Sequence, residues 1–149
     1  MTALPPTFPG FVAFVRRMMG ISSTVLPDAE PCVREAYDLS IETVNLAIKP
    51  AAPNAYRSAV YNLGGDILIN TAPDQTGSTY FADLRAKWNV LDPTSGVVQS
   101  SSDASTSQTL TVPEQASTFT LGDLQNLKTP YGRAYLAIAM KYGTLWGIS

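Results

Sequence analysis

The sequence predicts a mainly α-helical bundle with a protruding β-hairpin or extended loop insertion before its last helix. Three observations lead there. Apolar residues recur at helical spacing in segment after segment, and proline and glycine punctuate the gaps. A long Ser/Thr-rich stretch, Val97 to Thr120, then breaks the pattern before one more helix begins. A connection of that length in a helical domain marks a functional loop, a hairpin or disorder.

Residues 1–6 read as an arm, followed by a helix from about Thr7 to Met19. Thr7 is placed to cap it, Phe8, Phe11, Val12, Val15 and Met19 share a face, and Gly20 stops it. The linker Ile21 to Pro27 offers Val25 and Leu26 to the core. A second helix is expected from Asp28, as its cap, through Pro31 to Lys49, ended by Pro50 and Pro53. Its face is Val33, Ala36, Tyr37, Ser40, Val44 and Ile48; Leu39 and Leu46 widen it and imply burial on more than one side. The third helix, about Asn54 to Thr71, carries Tyr56, Ala59, Val60, Leu63, Ile67 and Leu68. Gly64-Gly65 inside it costs about 1 kcal/mol per glycine relative to alanine and needs a reason: close approach of another helix is favoured, with a kink or a subunit contact as the alternatives.

Ser78 or Thr79 is expected to cap a fourth helix to about Trp88, with Tyr80, Phe81, Leu84 and Trp88 on its stripe. Beyond the turn at Asp92-Pro93, Val97-Val98 and Thr109-Leu110-Thr111-Val112 have strand character, with Ser100 to Ser107 as the tip. Phe119 and Leu121 anchor the return, with a short helical turn through Leu127. Thr129 then caps the closing helix and Pro130 takes its first position, where a missing N–H is harmless. Tyr131, Tyr135, Ile138, Tyr142 and Leu145 form its face.

A chain of 149 residues suits one domain that needs no disulfide or metal. Charged residues make up 15%, below the roughly 25% usual in soluble domains, which favours a surface partly covered by neighbours and also fits a Ser/Thr-rich coat on a monomer. The net charge of −2 and scattered basic residues argue against nucleic acid as the main ligand. Arg16-Arg17 and Arg85-Ala86-Lys87, the close basic groups, read as solvated helix faces. Cys32 is a lone cysteine and reads as a small buried residue. No segment suits a signal peptide or a membrane span, so the expected setting is the cytoplasm or a larger particle assembled there.

No histidine is present. Ser-His and Cys-His nucleophilic sites are thereby excluded, and no Walker loop or dinucleotide-binding glycine pattern occurs. No catalytic, cofactor-binding or metal-ligating residue is assigned. Paired carboxylates could still support hydrolysis, and Glu35, Asp38, Glu42 and Asp66 are the candidates. Glu35, Asp38 and Glu42 lie on one polar stripe, the pattern of a solvated face.

The order of helices, the opening Phe8-Pro9-Gly10-Phe11 and above all the closing Thr129-Pro130-Tyr131-Gly132 resemble the head-tail adaptor proteins of tailed bacteriophages. Resemblance covers the whole chain in outline and is specific around Thr129 to Leu136. One departure is Gly64-Gly65-Asp66-Ile67, where members often carry a histidine late in the third helix. The resemblance implies a structural, non-enzymatic virion protein of the neck, one adaptor domain over 1–149, forming a dodecameric ring beneath the portal and continuing the DNA channel. It implies the portal protein and the next neck or tail-completion protein as partners, with DNA passing without sequence-specific contact. By position, Tyr131, Arg133, Tyr135, Tyr142, Trp146 and Ile148 become portal-docking candidates on a helix at about 129–146. Val97, Val98, Thr109, Leu110 and Val112, in an insertion at about 93–118, become ring or neck contacts. The alternatives are a monomeric helical protein-binding module with a flexible polar linker and, third, a carboxylate-based hydrolase.

Overall fold

The computed structural model describes residues 3–91, 100–103, 106–109 and 128–142. These residues are mainly helical: α1 (Phe8–Arg17), α2 (Pro31–Thr43), α3 (Ile48–Ala51), α4 (Pro53–Thr71), α5 (Tyr80–Lys87) and α6 (Pro130–Tyr142). Helix α4 is the axis of the bundle. Each of the other helices packs against it, and Tyr56, Ala59, Val60, Leu63, Leu68 and Ile69 bury its flanks. Its stretch from Leu63 to Ile69 is buried on nearly every side, while Asn54, Ser58 and Thr71 stay exposed.

Helix α1 follows the expected local rules. The Thr7 hydroxyl accepts from Gly10 N at 3.1 Å, and Gly20 sits at φ +69°, in the left-handed region beyond the last turn. Phe11 and Val15 bury completely or nearly so, and Leu26 of the linker joins them. A fully buried Phe contributes about 2–3 kcal/mol of transfer free energy.

Helix α1 also explains Gly64-Gly65. A Cβ on Gly64 would lie 2.7 Å from the Phe11 ring, and one on Gly65 would lie 3.0 Å from Met19 Sδ. The glycines let α1 and α4 approach at the level of these side chains. Phe11 stacks with Tyr37 of α2 at 5.8 Å between ring centroids, so three helices meet here.

The second helix differs from the expectation. It begins at Pro31 after Glu30, whose side chain makes no capping bond, and stops at Thr43; Val44 is extended, at ψ 130°. Asp28 pairs with Arg16 instead of capping. Asn45 Oδ1 accepts from Ala47 N at 3.1 Å and turns the chain into α3. Pro50 therefore lies inside α3, in a first turn where no donor is needed, and does not end a long helix. The break turns Val44 and Ile48 inward, while Leu39 and Leu46 remain 49% and 65% exposed and are not buried on a second side.

Helix α4 starts at Pro53, one residue before the expected start. Helix α5 lacks a cap from Thr79; the Asp74 carboxylate instead accepts from Phe81 N at 2.7 Å and Ala82 N at 3.1 Å. Ser78 Oγ accepts more weakly from Tyr80 N, at 3.3 Å.

Two expected surface cations are structural. Arg16 donates to Ile21 O at 2.9 Å and Leu26 O at 2.7 Å, pinning the linker beneath α1. Arg85 donates to Ile69 O at 2.8 Å and to Ala72 O, satisfying carbonyls at the open end of α4. Their neighbours Arg17 and Lys87 are exposed, as expected.

The expected hairpin insertion is not supported. An antiparallel ladder, β1 (Ser100–Asp103) with β2 (Thr106–Thr109), pairs Ser100 with Thr109 and Asp103 with Thr106. It occupies the segment expected to be the tip, and only Thr109 of the expected strand residues belongs to it. Val97, Val98, Leu110 and Val112 lie outside the described residues, as do Phe119, Leu121 and the turn through Leu127.

Candidate functional site

The best-defined constellation is the seat of α6 on α4. Thr129 Oγ1 accepts from Gly132 N at 2.9 Å, which makes Thr129 the cap that its sequence position predicts. The same hydroxyl donates to Asp66 Oδ1 in the middle of α4. Both residues are buried, Asp66 at 2% and Thr129 at 0% exposure. One hydroxyl therefore caps α6 and ties it to the core. Beside it, Lys128 Nζ donates to Val90 O at 3.1 Å, joining the start of α6 to the residues just after α5.

Burial pushes the Asp66 carboxyl up to about 6, against the opposing pull of hydrogen bonds from Thr129 and Asn70. Asn70, one turn along, also donates to the Asp66 backbone carbonyl at 2.7 Å. Glu35, Asp38 and Glu42 are exposed on α2, and Arg34 pairs with Asp38 at 3.2 Å. Asp66 is enclosed by α6 while the other three face solvent, so these carboxylates do not converge on one cleft as an acid–base pair must. Among the described residues no group of three or more His, Cys, Asp or Glu could hold a metal ion.

Around this seat runs an aromatic wall. Tyr131 meets Phe14 edge-on at 6.1 Å and Trp88 at 6.5 Å, and Phe14 lies 5.8 Å from Tyr61. Burial, then the neighbouring Tyr80, pushes the Tyr131 phenol up. Phe14, Met18, Arg57, Tyr61 and Tyr131 border a groove of about 310 Å³. Arg57 and Tyr61 also border an adjoining hollow of about 440 Å³ with Leu4 and Pro5. Met18, on the border of the first groove, is 70% exposed. With Asn54, Ser58 and Asn62 also on its border, the groove beside Tyr131 mixes aromatic and polar side chains around one guanidinium, a lining that suits a peptide.

The docking candidates divide by position. Tyr131, Tyr135 and Tyr142 are half-buried; Tyr135 and Tyr142 pack on the core cluster, together with Ile138. Arg133 is exposed. Trp146 and Ile148 lie outside the described residues, so the described part of α6 ends four residues before the expected boundary at 146. Leu136 and Gly132, which sequence reasoning did not select, are the most buried residues of α6. Leu136 is four residues after Gly132 on one helical stripe, a signal the tyrosine pattern overshadowed.

Cys32 is half-buried against the core, and burial together with the charge of Glu30 raises its thiol. No protein family, curated protein or solved structure matches the chain.

Proposed function

We propose that this chain is a structural subunit of a bacteriophage neck, a head-tail adaptor whose ring joins the portal to the next neck or tail-completion protein. The observation that carries the reading is the seat of α6. The Thr129-Pro130-Tyr131-Gly132 start, the part of the sequence that most resembles the adaptors, is fastened to the central helix through Asp66. A helix anchored so firmly at its start can present its far end, with Trp146 and Ile148 beyond it, to a partner. Lys128 bound to Val90 also brings together the two ends of the segment 91–127, so the insertion leaves and re-enters the bundle at one place. That arrangement suits an appendage used for assembly, with Val97, Val98, Thr109, Leu110 and Val112 as its contacts. Exposed Leu39, Leu46 and Met18 and the low charge content are consistent with a subunit covered by neighbours.

In this reading the subunit is not an enzyme and binds no cofactor. Copies form a ring, dodecameric by the resemblance, through which DNA passes without sequence-specific contact; the ring belongs to the virion and is assembled in the host cytoplasm. The test is co-assembly with a portal ring, followed by imaging. Stable binding of the intact chain, lost on truncation after Tyr142 while helix content persists, is the expected result. Failure of the intact chain to bind removes the reading. A second reading, a monomeric helical protein-binding module, is favoured by the groove of Phe14, Met18, Arg57, Tyr61 and Tyr131. It predicts a monomer that captures a peptide through that groove and is indifferent to portal rings.

A further inference from the structure

The contact between Asp66 and Thr129 places an ionisable group where the closing helix is bonded by a side chain to the central helix of the bundle. We propose that it makes α6 a proton-controlled latch: protonated Asp66 keeps the helix seated on α4, and loss of the proton loosens it. This inference does not depend on the adaptor reading.

The geometry supplies the mechanism. Asp66 projects from the middle of α4 beneath α6, with 2% of its surface exposed. A carboxylate there has given up water for the Thr129 hydroxyl and the Asn70 amide. An ionised carboxylate can accept about four hydrogen bonds, and charge in an apolar interior is stabilised poorly. Lifting α6 returns that charge to water, so ionisation favours the lifted state; the neutral acid carries no such penalty. Because the same hydroxyl receives Gly132 N–H, release of Thr129 from Asp66 also weakens the first turn of α6.

Inward-turned ionisable groups on the flanking elements include Arg16 of α1, Tyr37 of α2, Arg85 of α5, and Lys128, Tyr131 and Tyr135 at the start of α6. Lys128, Arg16 and Arg85 are bound to backbone carbonyls, and none of the six is among the causes of the shift at Asp66.

The sign follows from a folded value of about 6 against an ordinary 3.8. Seated α6 holds the proton more tightly than lifted α6, so its extra stability is complete below the ordinary value and is lost as pH rises through about 6. Hydrogen exchange of α6 amides, corrected for intrinsic rates, reads the lifting equilibrium in the full chain. Expected is a rise of about fiftyfold in lifting between pH 4 and pH 7.5. In Asp66→Asn, which still accepts from Thr129 but cannot ionise, that rise disappears. An equal pH dependence in both proteins overturns the latch. Should the variant fail to fold, the Asp66 carboxyl carbon in the unaltered chain decides by NMR titration: a midpoint near 6 supports the latch, and an ordinary carboxylate midpoint overturns it.

Discussion

Single residues decide how this bundle closes. Thr129→Val keeps the shape of the side chain but removes the α6 cap and the donor to Asp66. Losing a cap costs about 1 kcal/mol and stranding a buried acceptor about 1–3 kcal/mol more, so a loss of about 2–4 kcal/mol is expected in urea unfolding. A loss under half a kcal/mol would mean the contact carries no stability. The two central glycines separate in the same assay. Gly64→Ala gains helix propensity of about 1 kcal/mol but drives a methyl into the enclosed Phe11 ring, and overpacking of about 1–3 kcal/mol makes it destabilising. Gly65→Ala meets the flexible Met19 and is expected to be neutral or stabilising; the reverse order would refute this account. Sequence alone singled out both features by half. Thr129 as a cap and Gly64-Gly65 as a close approach were legible because each is local. Asp66 as the partner of Thr129 was not, since 63 residues separate them and a mid-helix aspartate resembles any solvated one.

At the scale of elements, helix ends are where sequence and structure part. Helix α1 was readable because Thr7 and Gly20 lie beside the residues they cap. The break after Thr43 carries no glycine or proline, and Val44 continues the apolar spacing of α2, so one long helix was the natural expectation. Helix α5 takes its cap from Asp74, six residues before its first residue, through a loop whose path the sequence does not state. Arg85 serves the end of α4 from the next helix. Arg85→Met, which keeps the apolar stem, strips the donors from Ile69 O and Ala72 O. Expected is a loss of about 1–3 kcal/mol with exchange protection falling first in the last turn of α4; unchanged protection there would show that solvent replaces the guanidinium without cost.

For the whole molecule, α4 is the hub, and the bond from Lys128 to Val90 joins the two ends of the segment between them. Replacing residues 92–126 by a short Gly-Ser linker should leave a cooperative helical bundle. Loop entropy alone would raise its stability by about 1–2 kcal/mol, since each halving of a loop is worth roughly 0.6 kcal/mol. Loss of cooperative melting in that variant would show that the segment belongs to the core. The same joining has a kinetic side. Helix α1 meets α4 across 54 residues, between Thr7 and Tyr61, and α6 meets it across 63, between Asp66 and Thr129, with the segment 91–127 to be closed first. Docking of α6 is therefore expected after the rate-limiting barrier, so Thr129→Val should hasten unfolding while leaving the folding rate nearly unchanged. Stopped-flow measurements with a slowed folding limb would place α6 in the nucleus instead. The closing helix is thus the last piece to arrive and the first to leave, and its anchor sets how long the assembled bundle lasts.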